Sequence, residues 1–148
     1  MNDVVKKRFL VIDDDSDVLA YLSTWLADHD FIVDIAHDGI EATAKLKEHR
    51  PDLITLDIIM PNETGIKFYR EIKKDPQYAS VPVIIITGIM TEFEDFISHR
   101  RTVPPPDGYI SKPFKEEELS NSIKEVLEMK KSKNGKLKLI TGSTSAKC

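Results

Sequence analysis

Apolar residues recur along the chain in two alternating modes: short unbroken runs, and stripes at helical spacing. Residues 9–12, 31–36, 53–56, 81–87 and 108–110 read as strands. The run at 81–87 is the most apolar, as a central strand of a parallel sheet, buried on both faces, should be. Between these runs, Val18, Leu19, Leu22, Trp25 and Leu26 share one face of a first helix. A second opens at Gly39 and carries Ile40, Ala44 and Leu46 toward a core. Ile66, Tyr69 and Ile72 mark a third over residues 65–72, which stops near Asp75 and Pro76. Residues 91–100 give a weaker helix, and Leu119, Ile123, Val126 and Leu127 place a last one over residues 115–129. Strand and helix alternate five times, which predicts the α/β class: a right-handed βαβ series forming a doubly wound, five-stranded parallel sheet with helices on both faces.

Composition narrows the class without naming a chemistry. At 148 residues, with 41% hydrophobic and 31% charged content, the chain fits one globular domain. A formal net charge of −4 gives no general attraction to nucleic acid. The single cysteine, Cys148, excludes an intrachain disulfide and suits a reducing compartment. The polar start leads into an apolar run too short for a signal peptide or a spanning helix, so a cytoplasmic protein with no membrane contact is expected. Lys130, Lys131, Lys133, Lys136 and Lys138, followed by a Gly/Ser/Thr stretch, read as a basic linker or flexible tail over residues 130–148, leaving a domain of residues 1–129.

Chemistry collects at the strand ends. The first strand runs into Asp13 and Asp14, the third into Asp57, the fourth ends at Thr87, and the fifth is followed by Lys112 and Pro113. Each has an ordinary explanation alone: an acidic run caps a helix, a lone Asp closes a turn, Thr suits a strand, and a lone Lys is solvated. In a parallel sheet, however, the carboxyl ends of all strands lie on one edge, where ligands bind. Three carboxylates brought together there must protonate, hold a cation or pair with a base. Hard oxygen donors suit Mg²⁺. With an ammonium and a hydroxyl opposite, the set can cradle a phosphoryl group while Asp57 attacks it to give an acyl phosphate.

These residues resemble the receiver domains of two-component response regulators, of the chemotaxis-regulator type. The likeness covers about residues 8–129. It rests on Asp13-Asp14 after an apolar strand, Asp57 followed by Met60-Pro61 and Gly65, Thr87 followed by Gly88, and Tyr109 three residues before Lys112-Pro113-Phe114. It implies the flavodoxin-like strand order 2-1-3-4-5. It also implies that Asp57 accepts phosphate from a sensor histidine kinase or a histidine phosphotransfer protein. Asp14 and Asp57 would hold Mg²⁺ together with the backbone carbonyl of Ile59, Asp13 would act through water or by orienting Lys112, and Lys112 and Thr87 would contact the phosphoryl group. Thr87 and Tyr109 would form the switch that remodels a surface for a downstream output protein or domain. Such a domain catalyses its own phosphorylation and slow dephosphorylation and is not a conventional turnover enzyme.

Two features depart from the family pattern. Ile59 and Ile89 are bulky and apolar beside the path of hydrolytic water, which predicts slow loss of phosphate. Residues 91–107 carry His99, Arg100, Arg101 and three consecutive prolines, which predicts a short or displaced fourth helix. The leading alternative is a receiver-like binding module that works without phosphate, although such a module should have lost an acidic residue, the Thr or the Lys. A haloacid-dehalogenase phosphatase would need an Asp-x-Asp motif that residues 13–19 do not supply, and a flavodoxin-type carrier would need a phosphate loop. No specific nucleic-acid contact is expected from this segment.

Overall fold

The computed structural model describes residues 6–58, 65–88 and 104–135, with side chains of the final helix described to residue 129. In chain order the elements are β1 (Arg8–Ile12), α1 (Ser16–Asp28), β2 (Ile32–Ala36), α2 (Gly39–Glu48), β3 (Leu53–Leu56), α3 (Gly65–Lys74), β4 (Val83–Thr87), β5 (Gly108–Ser111) and α4 (Glu116–Gly135). The five strands form one parallel sheet in the order β2-β1-β3-β4-β5, as expected. The predicted helix over residues 91–100 lies outside the described residues.

Every residue of β3 and β4 is buried, as their near-continuous apolar sequences require of strands with neighbours on both sides. Alternate residues divide between two faces. Leu10, Ile12, Ile54, Leu56, Val83 and Ile85 join Ala42 and Leu46 of α2 and Phe68, Tyr69 and Ile72 of α3 in one core. Phe9, Val11, Leu53, Ile84 and Ile86 are buried on the other face, and α1 buries Leu19, Leu22, Trp25 and Leu26. The α2 stripe differs from expectation. Ile40 is 62% exposed and Ala44 is exposed, whereas Gly39, Ala42 and Leu46 are buried. Positions 39, 42 and 46 keep helical spacing, and their small residues let the helix backbone sit close to the sheet, so size overrides hydrophobicity in setting the phase.

Helix boundaries follow local chemistry. The Asp15 side chain caps α1 by accepting from the Asp17 N–H at 2.9 Å. The other end closes with Asp30 at φ 69°, Asp30 N–H donating to Ala27 O and Phe31 N–H to Leu26 O, the two bonds of a Schellman motif with Asp where Gly is commoner. Phe31 then packs on Phe9, ring centroids 4.6 Å apart. Asp38 caps α2. Helix α3 runs two residues past Ile72, and α4 continues past 129 to Gly135, so the backbone of the first residues of the predicted tail is helical. A boundary between two compact units falls after Pro113, which leaves the sheet and α1–α3 in the first and α4 in the second. Along α4, Leu119, Ile123 and Val126 are buried at helical spacing. Among the described residues, no helix is long and apolar enough to cross a membrane.

Candidate functional site at the carboxyl edge of the sheet

Three strand ends deliver the acidic and basic groups, and each is fixed by one backbone bond beyond its ladder. Asp13 N–H donates to Ala36 O at 3.1 Å, Asp57 N–H to Ile12 O at 3.0 Å and Lys112 N–H to Thr87 O at 3.0 Å. Carboxylate oxygens of Asp13, Asp14 and Asp57 consequently lie within 4.8 Å of one another. Asp13 and Asp57 are buried, while Asp14 is exposed at the mouth. The Lys112 ammonium sits 2.8 Å from Asp13 Oδ2 and 3.5 Å from Asp57 Oδ2, a close ion pair and a longer one.

Lys112 pairs with two of the carboxylates, and burial and the pairing shift Asp13 and Lys112. Burial raises the pKa of Asp13, with the Asp57 charge pushing the same way, against the hydrogen bonds from Lys112 and the Asp15 N–H. Burial opposes the charge on Lys112, yet its hydrogen bond to Asp13 and the charges of Asp13 and Asp57 outweigh that and raise its pKa. Lys112 is thus held as a cation among more negative charge than it neutralises. Both oxygens of Asp13 are engaged, Oδ1 by the Asp15 N–H at 2.9 Å and Oδ2 by Lys112. The three carboxylates together form a cluster that could hold a cation. The acidic run therefore divides: Asp15 caps the helix, Asp13 pairs with the lysine, and Asp14 faces solvent.

Thr87 closes β4, 1% exposed and paired across the ladder with Ser111, so it stands beside the lysine-bearing turn. Tyr109 lies on β5, paired with Ile85 and 37% exposed. Ile59, Ile89, Met60 and Pro61 lie outside the described residues. Gly65, read in the sequence only as part of a spacing, has a physical task here. A Cβ on it would collide with the carbonyl oxygen of Asp57 and with Cα of Ile58, and its N–H donates to Ile58 O at 2.8 Å. Only glycine lets α3 start this close to the end of β3. Asp107, which exchanges two hydrogen bonds with Val83 at the entrance to β4, carries no distinctive sequence signal, being a lone Asp before a strand.

Comparison with known proteins agrees with this geometry. The family model described as "response regulator receiver domain" matches residues 9–124. The chain is 33% identical over 117 residues to the DNA-binding response regulator MtrA of Mycobacterium tuberculosis (strain ATCC 25618 / H37Rv), covering 79% of this chain and 49% of that protein. It thus spans about half the length of such curated relatives. Among solved structures, the chemotaxis protein CheY4 of Vibrio cholerae superposes with a TM-score of 0.73 at 28% identity, covering 82% of this chain and 99% of that one. Response regulator TrrA of Thermotoga maritima, solved in complex with Mg²⁺-BeF, superposes with a TM-score of 0.69 at 30% identity, covering 81% and 98%.

Proposed function

The chain belongs to the response regulator receiver domain family, and on that premise we propose that it takes a phosphoryl group onto Asp57 and switches a protein-interaction surface in response. The observation that carries this reading is the convergence of Asp13, Asp14, Asp57 and Lys112 on one edge of the sheet, with Asp57 just beneath the surface and Lys112 beside it. In the reaction, an Asp57 oxygen bonds to phosphorus as the nitrogen–phosphorus bond of a donor phosphohistidine breaks, the electron pair staying on the imidazole. Lys112 meets the phosphoryl oxygens as a fixed cation and holds Asp13 away from them. Thr87 donates its hydroxyl to the same oxygens, and Tyr109, half exposed on β5, reports the change as the second half of the switch.

Mg²⁺ fits the donor set. All donors are hard oxygens; Asp14 and Asp57 would hold the ion, with Asp13 acting through water or by orienting Lys112. When bound, it would supply positive charge against the oxygens of the incoming group. The donor is a sensor histidine kinase or histidine phosphotransfer protein, and the recipient of the signal is an output protein or domain. A cytoplasmic site of action suits such partners. The complete inventory of acidic residues, Thr and Lys argues against a phosphate-independent module.

Intact mass after incubation with acetyl phosphate and Mg²⁺ tests the reading. The chain should gain one phosphoryl group, and the gain should vanish in Asp57→Asn and in EDTA. No gain in the folded wild type with Mg²⁺ would overturn it.

A further inference from the structure

Among the described residues β5 is a four-residue edge strand paired with β4, yet the residue that follows it must place an ammonium to within ångströms. The strand is entered through Pro104, Pro105 and Pro106, which have carbonyls but no N–H, so this segment can be anchored by hydrogen bonds only as an acceptor. Tyr69 of α3 supplies a donor. Its ring is fully buried, and its hydroxyl donates to Pro104 O at 2.6 Å. Three residues on, Asp107 makes a reciprocal clamp with the first residue of β4: Asp107 N–H donates to Val83 O at 2.9 Å, and Val83 N–H donates to Asp107 Oδ2 at 2.9 Å. At the far end of β5, Lys112 N–H closes on Thr87 O.

We propose that Tyr69 and Asp107 are positioning residues for phosphoryl transfer: they seat the entrance of β5 and thereby fix where Lys112 meets Asp13 and Asp57. This rests on the reading of Asp57 as phosphoacceptor. Tyr69 belongs to the helix whose first residue, Gly65, abuts Asp57, so one rigid element ties the acceptor to the strand that carries its lysine. The phenol stays a donor throughout the working pH range, because burial, the Asp107 charge and the neighbouring Tyr109 raise its pKa.

Two readouts on Tyr69→Phe, Asp107→Ala and Asp107→Asn test the inference. Hydrogen exchange of the amides of residues 109–112 should accelerate roughly threefold to tenfold in Tyr69→Phe and Asp107→Ala, the range expected for one lost hydrogen bond. Amides of β1 and β3 should keep their wild-type rates. The Asn variant keeps an oxygen for the Val83 N–H and should resemble wild type. At saturating acetyl phosphate, the phosphorylation rate of the first two should fall by a similar factor, with half-saturation by Mg²⁺ unchanged because its carboxylates ride on β1 and β3. Uniform acceleration across the sheet, or wild-type exchange and rate in both Tyr69→Phe and Asp107→Ala, would overturn the proposal. Failure of the wild type to take up phosphate would sink the functional reading instead, and exchange at residues 109–112 would still decide the tether.

Discussion

The two edges of the sheet use the same side chain to opposite ends. At the amino edge, Asp52 and Asp107 each close a reciprocal pair with a neighbouring strand. Arg8 N–H donates to Asp52 Oδ2 at 2.7 Å while Asp52 N–H donates to Arg8 O at 2.7 Å, and Asp107 does the same with Val83. Asp34 meets the Arg8 guanidinium at 2.8 Å. At the carboxyl edge, Asp13, Asp14 and Asp57 crowd around one lysine. An aspartate given a backbone donor stabilises strand entry. Carboxylates clustered with one another instead leave a concentration of negative charge that could hold a cation, which is the chemistry the proposed function draws on.

The largest effect tests how tightly the carboxyl edge is built. Gly65→Ala places a methyl group against the Asp57 carbonyl and Cα of Ile58, neither of which can move without shifting β3. Overpacking against backbone should destabilise the fold by about 3 kcal/mol, read as a lower denaturation midpoint, and phosphorylation should fall with it. A neutral result would mean that the start of α3 can slide away from Asp57, and the edge would be looser than its hydrogen bonds describe.

A smaller loss is expected at the other edge, separated from chemistry. Asp52→Ala leaves the Arg8 N–H without its charged acceptor and should destabilise by roughly 2 kcal/mol. Phosphorylation by acetyl phosphate should keep its wild-type rate, since Asp52 lies at the strand end remote from Asp57. If the rate fell as far as stability did, the two edges would not be independent.

Much of this division was legible in the sequence, and its gaps have physical causes. Near-continuous apolar runs located β3 and β4 because a strand buried on both faces carries few polar positions, here the β-branched Thr55 and Thr87. The strand-end residues Asp13, Asp14, Asp57 and Lys112 could be grouped because a parallel sheet brings its carboxyl ends together whatever the loops do. The phase of α2 was misread because Ile40 outweighs Gly39 and Ala42 on any hydrophobicity scale, although the small residues are the ones that fit against the sheet. The clamps by Asp52 and Asp107, and the Tyr69 tether, depend on partners 24 to 44 residues away. No local pattern encodes a hydrogen bond of that span.

The sharpest form of the comparison is a change that stabilises one edge while disabling it. Asp13 has its pKa raised in the fold from the ordinary value of 3.8, with burial the largest cause. The folded chain therefore holds this proton to higher pH than the unfolded chain does. As pH rises from the ordinary value through the folded one, stability is lost, and above the folded value the whole penalty is present. Asp13→Asn removes it and should stabilise the protein above that range, even though the charge of the 2.8 Å ion pair with Lys112 is lost. Below the ordinary carboxylate value, both side chains are neutral and the gain should disappear. Denaturant melts of the two proteins across that range give the difference curve directly, and phosphorylation of the variant should be slowed because Lys112 has lost its 2.8 Å partner. A loss of stability above that range would mean that the ion pair outweighs burial, and Asp13 would then belong with Asp52 and Asp107 among the aspartates whose partners satisfy them.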